Sequence, residues 1–414
     1  MVPKSETIVV VGGGAAGFFG AITCAENNPA AKVILLEKTN KLLSKVRISG
    51  GGRCNVTHHC FNPNQLIQFY PRGGKFLKPA FKEFGAAETV AWFQKRGVRL
   101  HTESDGRMFP DTNDSSTIVN CLLHAAQKAR VQIETGQSVE SIKFMKTEQW
   151  SGFQLQLSNS KTINVDKLLI TTGGAPKKES YHWLRQLGLS IQDPVPSLFT
   201  FNVPGSPLQE LAGVAVSKAK VKIAGQTLEN EGPLLITHWG FSGPAVLKLS
   251  AWGARALQQL QYHFTILINW VPEHTEESLR AFLLQHRHEF ARRTVVAHPL
   301  FNLPQRLWKA LTHLAQINEQ IKWAELPAKN QNKLLEYLLR APFEVRGKTT
   351  FKDEFVTCGG IDLSELDAKT MQSKKIPGLF FAGEVLDIDG ITGGFNFQAA
   401  WTTAYLAGKA MASN

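Results

Sequence analysis

The segment TIVVVGGGAAGFFGAITCAENNPAAKVILLE, Thr7 to Glu37, decides the fold of this chain. Thr7 to Val11 is a β-branched apolar run of the kind that forms a fully buried strand. It runs directly into GGGAAG, where Gly12, Gly14 and Gly17 fit GxGxxG. Phe18 to Glu26 reads as helix, and a second apolar run, Lys32 to Leu36, ends at Glu37. Strand, glycine-rich turn, helix, strand and an acid about 20 residues beyond the last glycine make up a dinucleotide-binding βαβ unit. Gly12 allows the tight turn, Gly14 lets the backbone approach a pyrophosphate, and Gly17 lets helix and strand pack closely. Glu37 can accept from ribose hydroxyls, which favours FAD or NAD over NADP.

A second organising stretch lies near the other end, GLFFAGEVLDIDGITGGFNFQAAWTTAY from Gly378 to Tyr405. Leu379 to Ala382 predicts a short buried strand. An acidic loop with Glu384, Asp387 and Asp389 follows, and Gly393-Gly394 leads into a helix rich in alanine. A strand feeding a glycine turn and a helix start presents backbone N–H groups to an anionic or electron-rich ligand. With no GxGxxG behind it, this stretch is expected to complete the site begun at Thr7.

Between them lies SKVRISGGGRCNVT, Ser44 to Thr57. Three successive glycines exclude a helix interior there. The stretch predicts a loop with Arg53 and Asn55 fixed beside a cofactor. Cys54 is either a redox thiol or a small buried side chain, and the lack of CxxC favours the second. YPRGGKFL (70–77) is a basic glycine-rich loop carrying Arg72 and Lys75. Helices are expected over 79–96 and 116–129. In SDGRMFP between them, Arg107 holds either a substrate carboxylate or a neighbouring acid. Alternating runs at 138–145, 153–158 and 162–165 predict an antiparallel meander. KLLITT (167–172) then forms a buried strand ending at Gly173-Gly174.

Pro194, Pro196, Pro204 and Pro207 mark a change of character. Strand-like runs at 198–203, 214–223, 226–228, 234–237 and 263–268 predict a small β-barrel or sandwich. THWGFSGP (237–244) offers Ser242 as a helix N-cap, Pro244 in the first turn, and His238 as either a substrate-facing or a structural histidine. Residues 273–340 are helical in pattern, and strands at 343–345 and 351–357 bring the chain back. The expected organisation is a cofactor domain over 1–193 and 357–414. It is interrupted by a β-barrel (194–271), a helical subdomain (272–341) and return strands (342–356).

The chain has 414 residues, 43% hydrophobic and 19% charged, which is ordinary for a globular protein. No apolar run reaches the roughly 18 residues of a membrane span, and the start lacks the pattern of a secretory signal. Five cysteines, an odd number without metal-ligand spacing, suggest reduced thiols, no metal and a cytoplasmic setting. The net charge of +12 permits an acidic partner. The basic pairs are scattered, with no aromatic ladder, so a solvated surface and an anionic cofactor are expected rather than nucleic acid.

GGGAAG, SGGGRCNVT, GRMFP, TTGG, THWGFSGPA, CGGI and GLFFAGEVLDIDGITGGFNFQAAW, in this order, resemble the bacterial aminoacetone-oxidase-like (BaiN/YhiN-type) FAD-binding flavoproteins. The resemblance runs from Thr7 to Gly408. It implies an α/β, Rossmann-like FAD-binding domain of the two-dinucleotide-binding-domain type, with an inserted β-barrel carrying a helical subdomain. It also implies noncovalent FAD, held by Gly12, Gly14, Ala15, Ala16, Gly17, Glu37, Lys38, Lys45, Gly52, Arg53, Cys54, Asn55, Val139, Thr171, Thr172, Gly173, Gly383, Glu384, Gly394, Asn396 and Phe397. The expected activity is an FAD-dependent oxidoreductase passing hydride between flavin and a small substrate. Either an amine oxidase using dioxygen or an NAD(P)H-linked C=C reductase satisfies it. His238, Ser242 and Arg53 are the candidate catalytic residues. The rivals are a flavin-containing protein that binds or modifies RNA and a flavin carrier without turnover.

Overall fold

The computed structural model describes residues 5–148, 150–349 and 356–413. They divide into two compact units, one of the described residues up to 196 together with those from 356, the other of 197–349. Each unit encloses a hydrophobic core of its own.

The first unit is built on a five-stranded parallel sheet. Its order is Leu379–Phe381, Lys167–Ile170, Thr7–Val11, Lys32–Glu37 and Gln132–Thr135. The central strand pairs Val9 with Ile34 on one side and Leu168 on the other. Ile8, Val9 and Val10 are fully buried, which is why this run is apolar throughout rather than alternating. Strands from both ends of the chain therefore share one sheet.

The helix Ala15–Asn27 leaves the central strand directly, and the C-terminal helix Phe395–Ala412 packs on it. Glycines set their separation. A Cβ on Gly408 would lie 2.5 Å from the Gly20 carbonyl oxygen and 2.8 Å from Thr23 Cβ. One on Gly20 would lie 2.7 Å from Leu169 Cδ2. Backbone thus meets backbone across this helix pair.

Several expectations need adjustment. The helix expected over 79–96 is two, Gly74–Glu83 and Ala86–Gln94. The second starts at Gly85, whose N–H donates to Glu88 Oε2 at 2.8 Å. The meander is present as Val139–Lys146, Ser151–Leu157 and Thr162–Val165. Pro194 and Pro196 lie inside a strand, Ile191–Ser197, in a two-stranded sheet with Val356–Ile361. Both strands of such a sheet have an open edge, where a missing N–H costs little.

The second unit is a seven-stranded antiparallel sheet. Its order is Ala341–Arg346, His263–Asn269, Ala215–Ile223, Glu229–Thr237, Gly240–Ser242, Thr200–Asn202 and Lys348–Thr349. Phe201 and Phe264, on strands four places apart in that order, meet at 5.2 Å between ring centroids. The sheet is therefore curled round its own core. Residues 226–228 form the turn into Glu229–Thr237, not a strand. Three helices, Glu276–Glu289, Gln305–Leu314 and Ala328–Arg340, fill the helical stretch. The strand expected over 351–357 falls largely outside the described residues. Among the described residues no helix is long and apolar enough to cross a membrane.

Because the two helices of the first unit touch through backbone, a larger residue at Gly408 has no room. Gly408→Val should destabilise the protein by about 2 kcal/mol, read as a lower urea midpoint with an unchanged m-value.

Candidate functional site

The turn after the first strand is shaped by what stands behind it. Gly12 has φ +116°, and a Cβ there would run into the Thr171 carbonyl. A Cβ on Gly17 would overlap the Gly12 carbonyl oxygen. Around Gly14, by contrast, there is open space. Thr171 braces the turn from the neighbouring strand: its N–H donates to Val11 O at 2.8 Å, and its Oγ1 lies 2.9 Å from Val11 O and 3.1 Å from Gly12 O. Ala15 and Ala16 open the helix, with Ala16 buried. Glu37 turns back to the loop, accepting from Gly13 N–H at 2.8 Å and from Thr39 N–H and Oγ1 at 2.9 Å each. A carboxylate has about four acceptor positions, so Glu37 keeps capacity for a further donor. Lys38 and Thr172 are exposed, Gly173 has φ +74° with open space beside it, and Val139 is half-buried opposite Leu157.

In SKVRISGGGRCN, Ser44 begins a short helix that breaks at Ser49 (ψ 148°), with Gly50 and Gly51 left-handed. The expected loop thus starts only after one helical turn. Gly52 has φ +85° and open space where a Cβ would stand. Arg53 lies 4.0 Å above the Phe109 ring and donates to Glu103 Oε1 at 2.6 Å. Cys54 is fully buried at φ +62°. Burial pushes its thiol up from the ordinary 9.0 to about 12, against a hydrogen bond from Ser49. That is the opposite of what a reactive thiolate needs. Arg107 pairs with Asp105 and Glu103, the neighbouring-acid reading.

The C-terminal stretch closes onto this loop. Gly394, left-handed at φ +89°, caps the helix Phe395–Ala412. The neighbours orient the Asn55 amide so that its oxygen accepts from Gly394 N–H at 2.9 Å and its nitrogen donates to Thr57 O at 3.0 Å. Thr57 Oγ1 bonds Gln398 at 2.6 Å, Gln398 bonds Thr402, and Thr402 bonds Phe84 O, a fully buried polar ladder. Asn396 clasps the Gly390 backbone, accepting from its N–H at 2.8 Å and donating to its oxygen at 2.9 Å. Phe397 stacks on Trp401. Gly383 N–H donates to Thr403 Oγ1 at 3.0 Å, and its α-carbon faces Ala16, whose Cβ would lie 2.8 Å from an added Cβ. Glu384 accepts from Lys45 Nζ at 2.5 Å and from Thr357 N–H at 2.9 Å. Lys45 and Glu384, 339 residues apart, are thereby joined.

Four contributors escaped the sequence reading. Arg72 forms a two-point ion pair with the fully buried Asp389. Burial alone would lower the Arg72 guanidinium, but the adjoining Asp389 carboxylate raises it above its ordinary value. Tyr70 OH donates to Phe395 O at 2.6 Å. His58 Nδ1 lies 3.2 Å from Gly393 O, with its ring against Phe395. Thr357 Oγ1 is buried without a hydrogen-bond partner among the described residues. A basic loop and an acidic loop hinted at the Arg72–Asp389 pair; nothing local signalled the other three.

His238 and Ser242 belong to the second unit. His238 is exposed at the tip of the hairpin joining Glu229–Thr237 to Gly240–Ser242. Ser242 ends a strand opposite Leu235 and is not the helix cap. Gly243 holds that position without a side-chain bond, and Pro244 is in the first turn as expected.

A parallel Rossmann sheet with a GxGxxG turn, completed by a C-terminal glycine-capped helix, is the architecture of a flavin-dependent oxidoreductase. The profile of the HI0933-like protein Rossmann domain matches residues 6–410, and the chain belongs to that family. It is 31% identical over 406 residues to a protein of Escherichia coli K12 named ribosomal RNA dihydrouridine synthase, covering 96% of each chain. It is 27% identical over 414 residues to a Clostridium scindens protein named 3-dehydro-bile acid delta(4,6)-reductase, covering 98% of each. In fold it is similar to the 3-ketosteroid-delta4-(5alpha)-dehydrogenase of Rhodococcus jostii RHA1, with a TM-score of 0.52 at 14% identity. That likeness covers 100% of this chain and 99% of the other.

Two outcomes follow from this geometry. Removing Arg72 leaves Asp389 buried without its counter-ion, so Arg72→Met should cost about 3–5 kcal/mol in chemical denaturation. Cys24 and Cys54, both raised to about 12 by burial, stay protonated in the folded protein while unfolded thiols ionise near 9.0. Their contribution is complete below about pH 9 and is lost as pH rises toward about 12. Denaturant midpoints should therefore fall through that window, less steeply in Cys24→Ala.

Proposed function

We propose that this chain binds FAD and reduces a carbon–carbon double bond conjugated to a carbonyl. The observation that carries the cofactor half is the turn at Gly12 to Gly17. Two of its glycines are filled by backbone, while the third, Gly14, opens on free space at a helix N-terminus. That is the arrangement a pyrophosphate requires. Glu37 has acceptor capacity left for an adenosine ribose, and Glu384 with Asn55 and Gly394 forms the polar wall where the flavin end would lie. The flavin, when bound, supplies hydride at N5 of its reduced ring. The protein's part is to hold the pyrophosphate on the N–H groups after Gly14. The positive end of the helix Phe395–Ala412 would favour negative charge at the flavin's pyrimidine edge. Asn396 acts here through the loop it clasps, and Arg53 through the Phe109 wall, neither as a direct proton donor.

The reductase half is supported by the two relatives. A dihydrouridine synthase saturates the uracil C5–C6 bond, and a delta(4,6)-reductase saturates ring C=C bonds; both bonds are conjugated to a carbonyl. For a bond polarised in this way, hydride would add to the carbon remote from the carbonyl and a proton to its double-bond neighbour. The balance requires a two-electron donor for the flavin, and NAD(P)H is the proposed class. For the substrate, the 31% relative favours a uridine in RNA, and the net charge of +12 permits such an acidic partner. The 27% relative favours a small cyclic enone as the second reading.

The test is anaerobic. Purified protein should carry or take up FAD, bleach on addition of NADH or NADPH, and reoxidise on addition of unmodified ribosomal RNA. Reoxidation by a 4-en-3-one alone would select the second reading. Reoxidation only by dioxygen would reject the reductase, and no uptake of FAD would reject both halves. Gly14→Val should fold with an unchanged urea midpoint, since its Cβ meets nothing, yet lose FAD affinity at least ten-fold. Gly17→Val should fail to fold.

A further inference from the structure

The hairpin tip His238-Trp239 has a feature that neither its turn nor its packing demands. Thr237 pairs with Gly240, so the loop between the strands is these two residues alone. Two-residue hairpin loops favour Asn-Gly or a glycine. Here the turn is secured another way, by Gly240 N–H donating to Thr237 Oγ1 at 3.1 Å and Val203 N–H donating to Trp239 O at 2.7 Å. Neither side chain of the tip is needed for that. The tip nonetheless carries two rings, His238 exposed and Trp239 49% exposed, with centroids 6.0 Å apart. Trp239 and Trp252, 47% exposed, are the tryptophans most open to solvent among the described residues. Both lie in residues 232–272, a run of the chain without a single aspartate or glutamate that contains Lys248 and Arg255. Lys248 and Trp252 are four residues apart on one helix, and so on one face of it.

We propose that Trp239 is a stacking platform for a base of single-stranded RNA. The inference rests on the uridine reading of the substrate and names the residue that would take hold of the RNA. An indole presents a flat π-face at small conformational cost, and base stacking on aromatic side chains is tolerant of sequence. The residues that flank the tip along the chain, 232–272, bring no carboxylate of their own to repel phosphates, while the net charge of +12 supplies the long-range attraction. A small enone would need an enclosed apolar pocket, which an exposed hairpin tip does not offer.

The experiment uses the full-length protein and an oligouridylate labelled with a fluorophore, titrated by anisotropy at several salt concentrations. Wild type should bind. Trp239→Ala should raise Kd about ten-fold or more with an unchanged slope of log K against log salt, because a stack and not a phosphate contact is lost. Trp239→Phe should recover most of the affinity. Equal affinity of Trp239→Ala and wild type would overturn the platform while leaving the uridine reading intact. A changed salt slope would overturn it in favour of a charge contact. If wild type neither binds the oligonucleotide nor is reoxidised by ribosomal RNA, the reading beneath fails and the platform with it. FAD content and urea midpoint of the two variants, expected to equal wild type, show that the tip is not needed for folding.

Discussion

The close approach of two helices that come from opposite ends of the chain is the constraint on which the first unit depends. Gly408 lies against the Gly20 carbonyl, and Gly383 against Ala16, so the C-terminal helix and its leading turn sit directly on the first helix. With side chains at those positions the helices would move apart. The strand Leu379–Phe381 that feeds the C-terminal turn could not then keep its register beside Lys167–Ile170. The same economy appears within the GxGxxG turn, where Gly17 faces the Gly12 carbonyl. Small residues here have one physical role, to let backbone pack on backbone.

On that scaffold, polar groups fix the walls of the candidate site. The ladder Thr57–Gln398–Thr402 and the bond from Tyr70 to Phe395 O are fully buried, so each would be expensive to leave unpaired. The Arg72–Asp389 pair holds the basic loop to the acidic one. Lys45–Glu384 is more exposed, with Lys45 nearly half accessible, so it contributes less to stability than its short distance suggests. Its effect is to orient Glu384, whose other oxygen is set by Thr357 N–H. Together these contacts turn three separate glycine-rich loops into one fixed surface.

The second unit shows a different balance. Its sheet curls round aromatic residues, with Phe241 packed on Phe343 and Phe201 on Phe264. Turn geometry there is secured by backbone and a threonine hydroxyl, which leaves the hairpin tip free to carry exposed rings. The identities of His238 and Trp239 are thus under no folding constraint that the structure reveals.

Local rules were enough for much of this. The run TIVVV could only be a strand buried on both faces, and GxGxxG followed by helix, strand and Glu37 specified a nucleotide turn, because each signal is set by neighbours within a few residues. The meander and the glycine turn that leads into the C-terminal helix were legible for the same reason. Where two local signals competed, the reading slipped. Ser242 has the chemistry of a cap, but strand pairing with Leu235 claimed it, and Gly243 took the cap. Pro194 and Pro196 do stand where the first unit gives way to the second, but within a strand with an open edge rather than in a linker. What the sequence could not reveal was which distant groups would meet: Arg72 with Asp389, Lys45 with Glu384, Asn55 with Gly394. Each pair joins residues more than 300 positions apart, and a side chain's own chemistry says that it needs a partner without saying which. Asn396 met a near neighbour instead, its amide clasping the backbone of Gly390. Residue chemistry determined the elements and the class of ligand; only tertiary packing decided the partners, because partner choice depends on distance in space and not along the chain.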